Sequence, residues 1–159
     1  MRIDTLRFGE IEVRDDRVIR FANGIPAFEH LRAFVIVQVD RTAPVYWMQS
    51  AEDSGVALPV VDPFALIDNY ALEINDAEIE DLCLENQTDL MVLGVTVIPE
   101  DVTKMTVNLA APVLVNTKKG LGKQIVMDDR RYSTRHPVYD DFMQALRGGN
   151  GRVGAHAQG

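Results

Sequence analysis

Apolar residues in this chain come in short runs, and every run meets a turn former before it reaches helical length. Within the runs the dominant period is two. Met1 to Phe8 sets Ile3 among charged neighbours and breaks at Gly9; Glu10 to Val13 follows with Ile11 and Val13 on one face. Asp15-Asp16 turns the chain and Arg17 to Phe21 resumes, so a hairpin is expected at the N-terminus. Ala33 to Val39, Val45 to Ser50 and Val56 to Val61 read as further strands, the first of them buried. Tyr70 to Ile74 reads as extended, and Leu90 to Ile98 is the most apolar strand, rich in β-branched residues. Thr106 to Leu109 and Pro112 to Asn116 flank Ala110-Ala111; Thr117 to Gly122 makes a hairpin tip and Lys123 to Met127 its second arm. The sum is about nine short strands at roughly 8–12-residue spacing, the pattern of a mostly β protein built as a small antiparallel β-barrel or sandwich. No strand–helix alternation appears, so a parallel sheet is not expected.

Helices are few. Asp62-Pro63 reads as an N-cap with proline at the first helical position, opening at most one turn through Ile67. Asn75 or Asp76 caps a short amphipathic helix with Ile79, Leu82 and Cys83 facing inward and Glu78, Glu80 and Asp81 facing water. Asp140 and Asp141 are expected to cap a last helix through Leu146. At Asn23-Gly24-Ile25-Pro26 a loop is expected, because Asn-Gly tolerates positive φ and proline biases the residue before it towards extended backbone. With 159 residues and 47% apolar content, one hydrophobic core is the natural unit. The expected organisation is a single domain over residues 1–146 and a flexible glycine-rich tail over 147–159.

The net charge of −8 hides a partition. Residues 1–41 balance seven basic against seven acidic groups, whereas residues 42–103 hold thirteen carboxylates and no Lys, Arg or His. The remaining residues carry nine basic and four acidic side chains. Thirteen like charges repel unless they are solvated or matched from outside the segment. Either the basic C-terminal third folds back over them, or part of the acid is a docking face for a cationic partner. An acidic protein is a poor ligand for phosphate backbones and anionic lipid, so neither nucleic acid nor membrane is an expected partner. The apolar runs are far shorter than the ~20 residues of a membrane span, and Met1-Arg2-Ile3-Asp4 opens no signal peptide. The lone Cys83 is compatible with a reducing cytoplasm, and its expected role is that of a small core hydrophobe.

Catalytic constellations are missing. His30, His136 and His156 offer no i, i+4 pair, and Cys83 has no partner spacing for zinc. No G-x-S-x-G occurs. Gly120-Leu121-Gly122-Lys123 has Gln124 where a phosphate loop needs Ser or Thr, so it reads as a turn. Asn75 to Asp81 alternates oxygen ligands as a calcium loop does, yet lacks the glycine at the bend and has Gln87 at the twelfth place. No metal, cofactor or catalytic residue is therefore assigned. A carboxylate pair that meets only in the fold stays open, which leaves a small acidic hydrolase as the first alternative and a structural subunit as the second.

Five segments taken in order resemble the FliW flagellar assembly factor family. They are Phe21-Ala-Asn-Gly-Ile-Pro-Ala-Phe-Glu29, Met48-Gln-Ser-Ala-Glu-Asp53, Val61-Asp-Pro63, Thr106-Val-Asn-Leu-Ala-Ala-Pro-Val-Leu-Val-Asn116 and Tyr132-Ser-Thr-Arg-His-Pro-Val138. Ala27 departs from the family pattern, standing where glycine is expected. The resemblance implies a small antiparallel β-barrel and a non-enzymatic, cytoplasmic regulator. FliW-like proteins bind the RNA-binding translational repressor CsrA and also bind flagellin, so the partner in excess decides whether CsrA is free.

An RNA-binding partner must present Lys and Arg to phosphates, and a carboxylate-rich surface complements it. The expected acidic docking face is Glu78, Glu80 and Asp81 on the short helix with Glu73, Asp76 and Glu85 beside it. The competing reading is an ordinary solvated helix face. For flagellin, whose termini are amphipathic helices, an apolar groove is expected, with Ile25 and Phe28 of the Gly-Ile-Pro loop as candidates. For Phe28 the alternative is plain packing of the barrel end. A monomer is expected.

Overall fold

A computed structural model describes residues 1–128 and 130–148. The strands are β1 (Arg2–Thr5), β2 (Gly9–Glu12), β3 (Ile19–Phe21), β4 (Ala33–Val37), β5 (Tyr46–Ser50), β6 (Ala57–Val61), β7 (Leu90–Val97), β8 (Thr106–Val107), β9 (Val113–Asn116), β10 (Leu121–Gln124) and β11 (His136–Pro137). Two α-helices, α1 (Pro63–Leu66) and α2 (Tyr139–Arg147), and four short 3-10 helices complete the described residues. In the order β3-β4-β5-β6-β7-β9-β10 the strands close on themselves into a barrel. The mostly β barrel anticipated from strand spacing is thus present, with β1–β2 and the β8–β11 pair added outside the ring.

One pairing departs from expectation: β10 runs parallel to β3, with Leu121 opposite Arg20 and Gly122 opposite Phe21. The reason is parity. A closed ring of antiparallel neighbours needs an even number of strands, and this ring has seven, so one junction must be parallel. The β3–β10 junction also requires close backbone approach. A Cβ on Gly122 would lie 2.5 Å from the Phe21 ring.

Alternation on the strands builds three apolar layers. Phe21, Phe34, Met48, Val60, Leu93, Val113 and Val115 fill the barrel. On the outside of β4 and β5, the β1–β2 hairpin covers Val35 and Val37 with Ile3, Ile11 and Val13. On the outside of β7 and β9, Val92 and Leu114 are covered by Leu66, Tyr70, Leu82, Met127 and Val138. β7 therefore buries both faces along much of its length, which is why its sequence is almost continuously apolar rather than alternating. The hairpin is tied to the wall by Trp47, whose ring lies under the Arg7 guanidinium at 4.1 Å and meets Phe8 edge-on at 6.1 Å.

Most of the motifs that carry the family resemblance turn out to be turn chemistry. Ser50 Oγ accepts from the Glu52 and Asp53 amides, while Glu52 Oε1 accepts from the amides of Arg32 and Ala33 and so fastens the β5–β6 turn to β4. These bonds favour the ionised carboxylate and hold the Glu52 carboxyl below its ordinary range. Asn108 Oδ1 caps the Ala110 and Ala111 amides in the same way. Asp62 Oδ1 accepts from the Phe64 amide and starts α1 with Pro63, as the sequence predicts.

Three local expectations are corrected. Tyr70 to Ile74 is not a strand: the Ala71 amide donates to Tyr132 Oη and the Glu73 amide to Met127 Sδ, so side chains take what a ladder would need. Asp140 and Asp141 do not cap α2. Val138 occupies that position without a side-chain bond, and the two acids sit in the first turn, where they meet the positive end of the helix dipole. Cys83 is exposed rather than a core residue. The helix before it, Asp76–Leu82, is a 3-10 helix, so Ile79 and Leu82 share a face at three residues per turn while Cys83 is rotated off it. Cys83 ends the helix in the left-handed conformation at φ 55°. Of the expected flexible tail, residues 149–159, including His156, lie outside the described residues.

Candidate functional site

The acidic 3-10 helix is a rigid platform rather than a loose excursion. Asn75 Oδ1 accepts from the Glu78 amide at its start, and Leu82 at its end is 1% exposed in the flanking core. Asn116, at the end of β9 and itself 1% exposed, clamps the helix to the β9–β10 hairpin. Its Nδ2 donates to the Leu82 carbonyl at 2.9 Å, and its Oδ1 accepts from the amides of Lys118 and Lys119 at 3.0 and 3.1 Å. Lys123 of β10 adds a second fastening: its Nζ donates to the Glu78 carbonyl and pairs with Asp81 at 3.2 Å.

The six expected docking acids divide in two. Asp81 is paired with Lys123, Glu85 with Lys119 at 2.9 Å and Glu73 with Arg131 at 3.3 Å. The Lys119 ammonium holds the Glu85 carboxyl below its ordinary range, and Glu85 in turn raises Lys119, a consistent pair of shifts. Half of the proposed face is thus engaged by the chain's own basic C-terminal third, which realises in part the neutralising alternative. Asp76, Glu78 and Glu80 make no ion pair among the described residues. Asp76 and Glu80 are exposed and Glu78 is half-buried; at three residues per turn the three acids point to different sides of the axis, so the acidic ridge is the helix itself rather than a row of carboxylates, with Lys123 on the side shared by Glu78 and Asp81. The sequence could not locate Asn116 or Lys123 in this arrangement. The available signal was local: an Asn closing an apolar strand just before Thr117-Lys118-Lys119-Gly120 is an Asx-turn position.

The structure does not bring Ile25 and Phe28 together as an exposed apolar pair. The Phe28 amide donates to the Ile25 carbonyl at 2.7 Å across a tight turn with Pro26 and Ala27 at its centre. Ile25 is 3% exposed and belongs to the barrel core, because the turn points it inward; Phe28 packs half-buried against the same core. Ala27 takes φ 74°, the position where a type II turn after proline wants glycine, which is the physical reason glycine is expected there and the source of the strain carried here. An apolar concavity lies elsewhere. A groove of about 480 Å³ runs between β2 with its following turn and the ends of β3, β4, β7 and β9, lined by Ile11, Val13, Ile36, Val37, Met91 and Val115. Arg14 and Asp16, paired at 2.6 Å, and Arg17 stand at its rim.

Among the described residues no group of three or more His, Cys, Asp or Glu side chains is placed to hold a metal ion. Among the described residues the carboxyls that depart from ordinary values, Asp40, Glu52 and Glu85, all depart downward through hydrogen bonds or ion pairs. None of the three has the upward displacement of a general acid. Tyr70, pushed up to about 12 by burial and by neighbouring Tyr132, is structural: its hydroxyl donates to the Leu109 carbonyl. No helix among the described residues is long and apolar enough to cross a membrane.

Residues 2–138 match the family model described as FliW protein. A flagellar assembly factor FliW from Thermosipho africanus is 40% identical over 139 residues, covering 87% of this chain and 96% of the relative. One from Caldicellulosiruptor saccharolyticus is 41% identical over 135 residues, covering 85% and 88%. A crystal structure of the flagellar assembly factor FliW superimposes with a TM-score of 0.79 at 28% identity, covering 87% of this chain and 96% of that one.

Proposed function

The chain belongs to the FliW family of flagellar assembly factors, and from that premise we propose that it acts without catalysis, by exchanging two protein partners in the cytoplasm. One partner is the RNA-binding repressor CsrA and the other is flagellin. While flagellin is abundant it occupies this protein and CsrA is left to repress flagellin synthesis; when flagellin is exported, this protein turns to CsrA and repression is relieved.

The observation that carries the reading is the acidic 3-10 helix Asp76–Leu82, its backbone tied down by Asn116 and Lys123, on which Asp76, Glu78 and Glu80 make no ion pair among the described residues. A protein that reads RNA presents cations, and a carboxylate-rich helix steers it in and repels RNA within about one Debye length, ~8 Å at physiological salt. The preformed helix spares the entropy of ordering its backbone on binding. For flagellin, the apolar groove beside β2 is the better-shaped acceptor, since its Val37 and Met91 walls suit one or two apolar side chains of an amphipathic helix. The acidic helix packs on the β9–β10 hairpin, and Val115, Thr117 and Gly120 of the same hairpin line the groove, so the exchange is proposed to run through that shared hairpin.

Size-exclusion chromatography of a three-component mixture tests the exchange. Flagellin should displace CsrA from this protein, and CsrA at excess should displace flagellin. Independent, additive binding of both contradicts the proposal.

A further inference from the structure

An acidic ridge supplies approach speed and orientation, whereas tight complexes usually centre on a rigid aromatic anchor. Next to Glu73, Phe64, Tyr70 and Tyr132 form a continuous aromatic cluster: Phe64 meets Tyr70 edge-on at 5.3 Å, and Tyr70 meets Tyr132 at 4.8 Å. The two tyrosines are fixed, since Tyr70 Oη donates to the Leu109 carbonyl and Tyr132 Oη accepts from the Ala71 amide at 2.7 Å. Phe64 is the outward member, 49% exposed although it lies in a capped helical turn whose Pro63 and Leu66 are buried. Its chain neighbours Asp62 and Asp68 are carboxylates, and it lies in the 62-residue stretch that has no cation. The cluster already carries one guanidinium: Arg131 lies 5.4 Å from the Tyr132 ring while pairing with Glu73.

We propose that the exposed Phe64 ring, backed by Tyr70 and Tyr132, is the anchoring centre for a cationic protein partner and receives an arginine side chain of that partner on its face. The chemistry is complementary on two counts. The negative π face attracts a guanidinium, and the surrounding carboxylates raise the local concentration of cations. Because the ring is held by its neighbours before binding, little side-chain freedom is lost. This surface rests on the CsrA reading above and extends it by supplying the short-range centre that charge alone does not.

The test is calorimetric titration of CsrA into Phe64→Ala and Phe64→Leu proteins at low and high salt, with Glu78→Lys/Glu80→Lys in parallel. Phe64→Leu keeps an apolar side chain on the helical turn and removes the π face, so it is the decisive variant if Phe64→Ala fails to fold. The expected result is a loss of affinity of about tenfold or more for alanine and at least about threefold for leucine, with the salt dependence unchanged. If both Phe64 variants bind as the parent does while the double lysine variant is weakened, the aromatic centre is wrong and the acidic face stands. If all variants bind as the parent does, the aromatic centre and the acidic face both fall; if the parent itself does not bind CsrA, the CsrA reading falls.

Discussion

Asn116 is the residue on which the acidic ridge and the barrel most directly depend, and Asn116→Ala is the informative perturbation. Its side chain makes three hydrogen bonds of 2.9–3.1 Å from a site that is 1% exposed. The Lys118 and Lys119 amides sit at an exposed hairpin tip, so water replaces the lost acceptor there at modest cost. The Leu82 carbonyl belongs to a residue that is 1% exposed and has no such substitute. An orphaned buried polar group costs ~1–3 kcal/mol, and the turn bonds add about 1 kcal/mol between them, giving a loss of about 2–4 kcal/mol. For a domain of this size that lowers Tm by roughly 5–15 °C. Thermal melting followed by circular dichroism reads the loss, and amide exchange reads its location, which should be residues 76–83. A Tm within about 2 °C of the parent, or exchange that quickens uniformly, would refute the claim that Asn116 pins the ridge.

Other consequences follow from the same geometry. Ala27→Gly relieves an L-residue held at φ 74° and should raise stability by about 0.5–1 kcal/mol, read as a higher urea midpoint at unchanged slope; an unchanged midpoint means the turn carries no strain. Glu52, whose folded-state carboxyl is held below 4.5 by the Arg32 and Ala33 amides, stabilises the fold above that pH, and the contribution is lost as pH falls through the folded value. Melts from pH 6 to pH 3 should therefore decline less steeply for Glu52→Gln than for the parent; parallel curves would remove Glu52 from the account. Gly122→Ala forces a Cβ onto the Phe21 ring at the parallel junction and should cost about 1–3 kcal/mol in chemical denaturation, against no loss if the junction is slack.

How much was legible in the sequence depended on whether the deciding contact was local. The strands at Ala33–Val37, Tyr46–Ser50, Ala57–Val61 and Leu90–Val97 announced themselves through β-branched and aromatic runs, and the Asp62-Pro63 start of α1 through its cap. The parallel β3–β10 junction was hidden because it follows from the parity of the closed ring, which no segment contains. The spacing of Cys83 from Ile79 suits the inner face of an α-helix, but the helix takes three residues per turn and so turns Cys83 outward. The acids at 73–85 were visible, but their division into paired and unpaired groups depends on Lys119, Lys123 and Arg131, tens of residues away. Ile25 looked like a loop hydrophobe and became core because its turn folds back on the barrel end.

The central claim, that carboxylates on the fastened Asp76–Leu82 helix recruit a cationic regulator, is tested most directly by titrating CsrA into Glu78→Lys/Glu80→Lys at low and high ionic strength. The account predicts markedly weaker binding than the parent at low salt, with the gap narrowing as salt screens the ridge. Equal binding at low salt would contradict it.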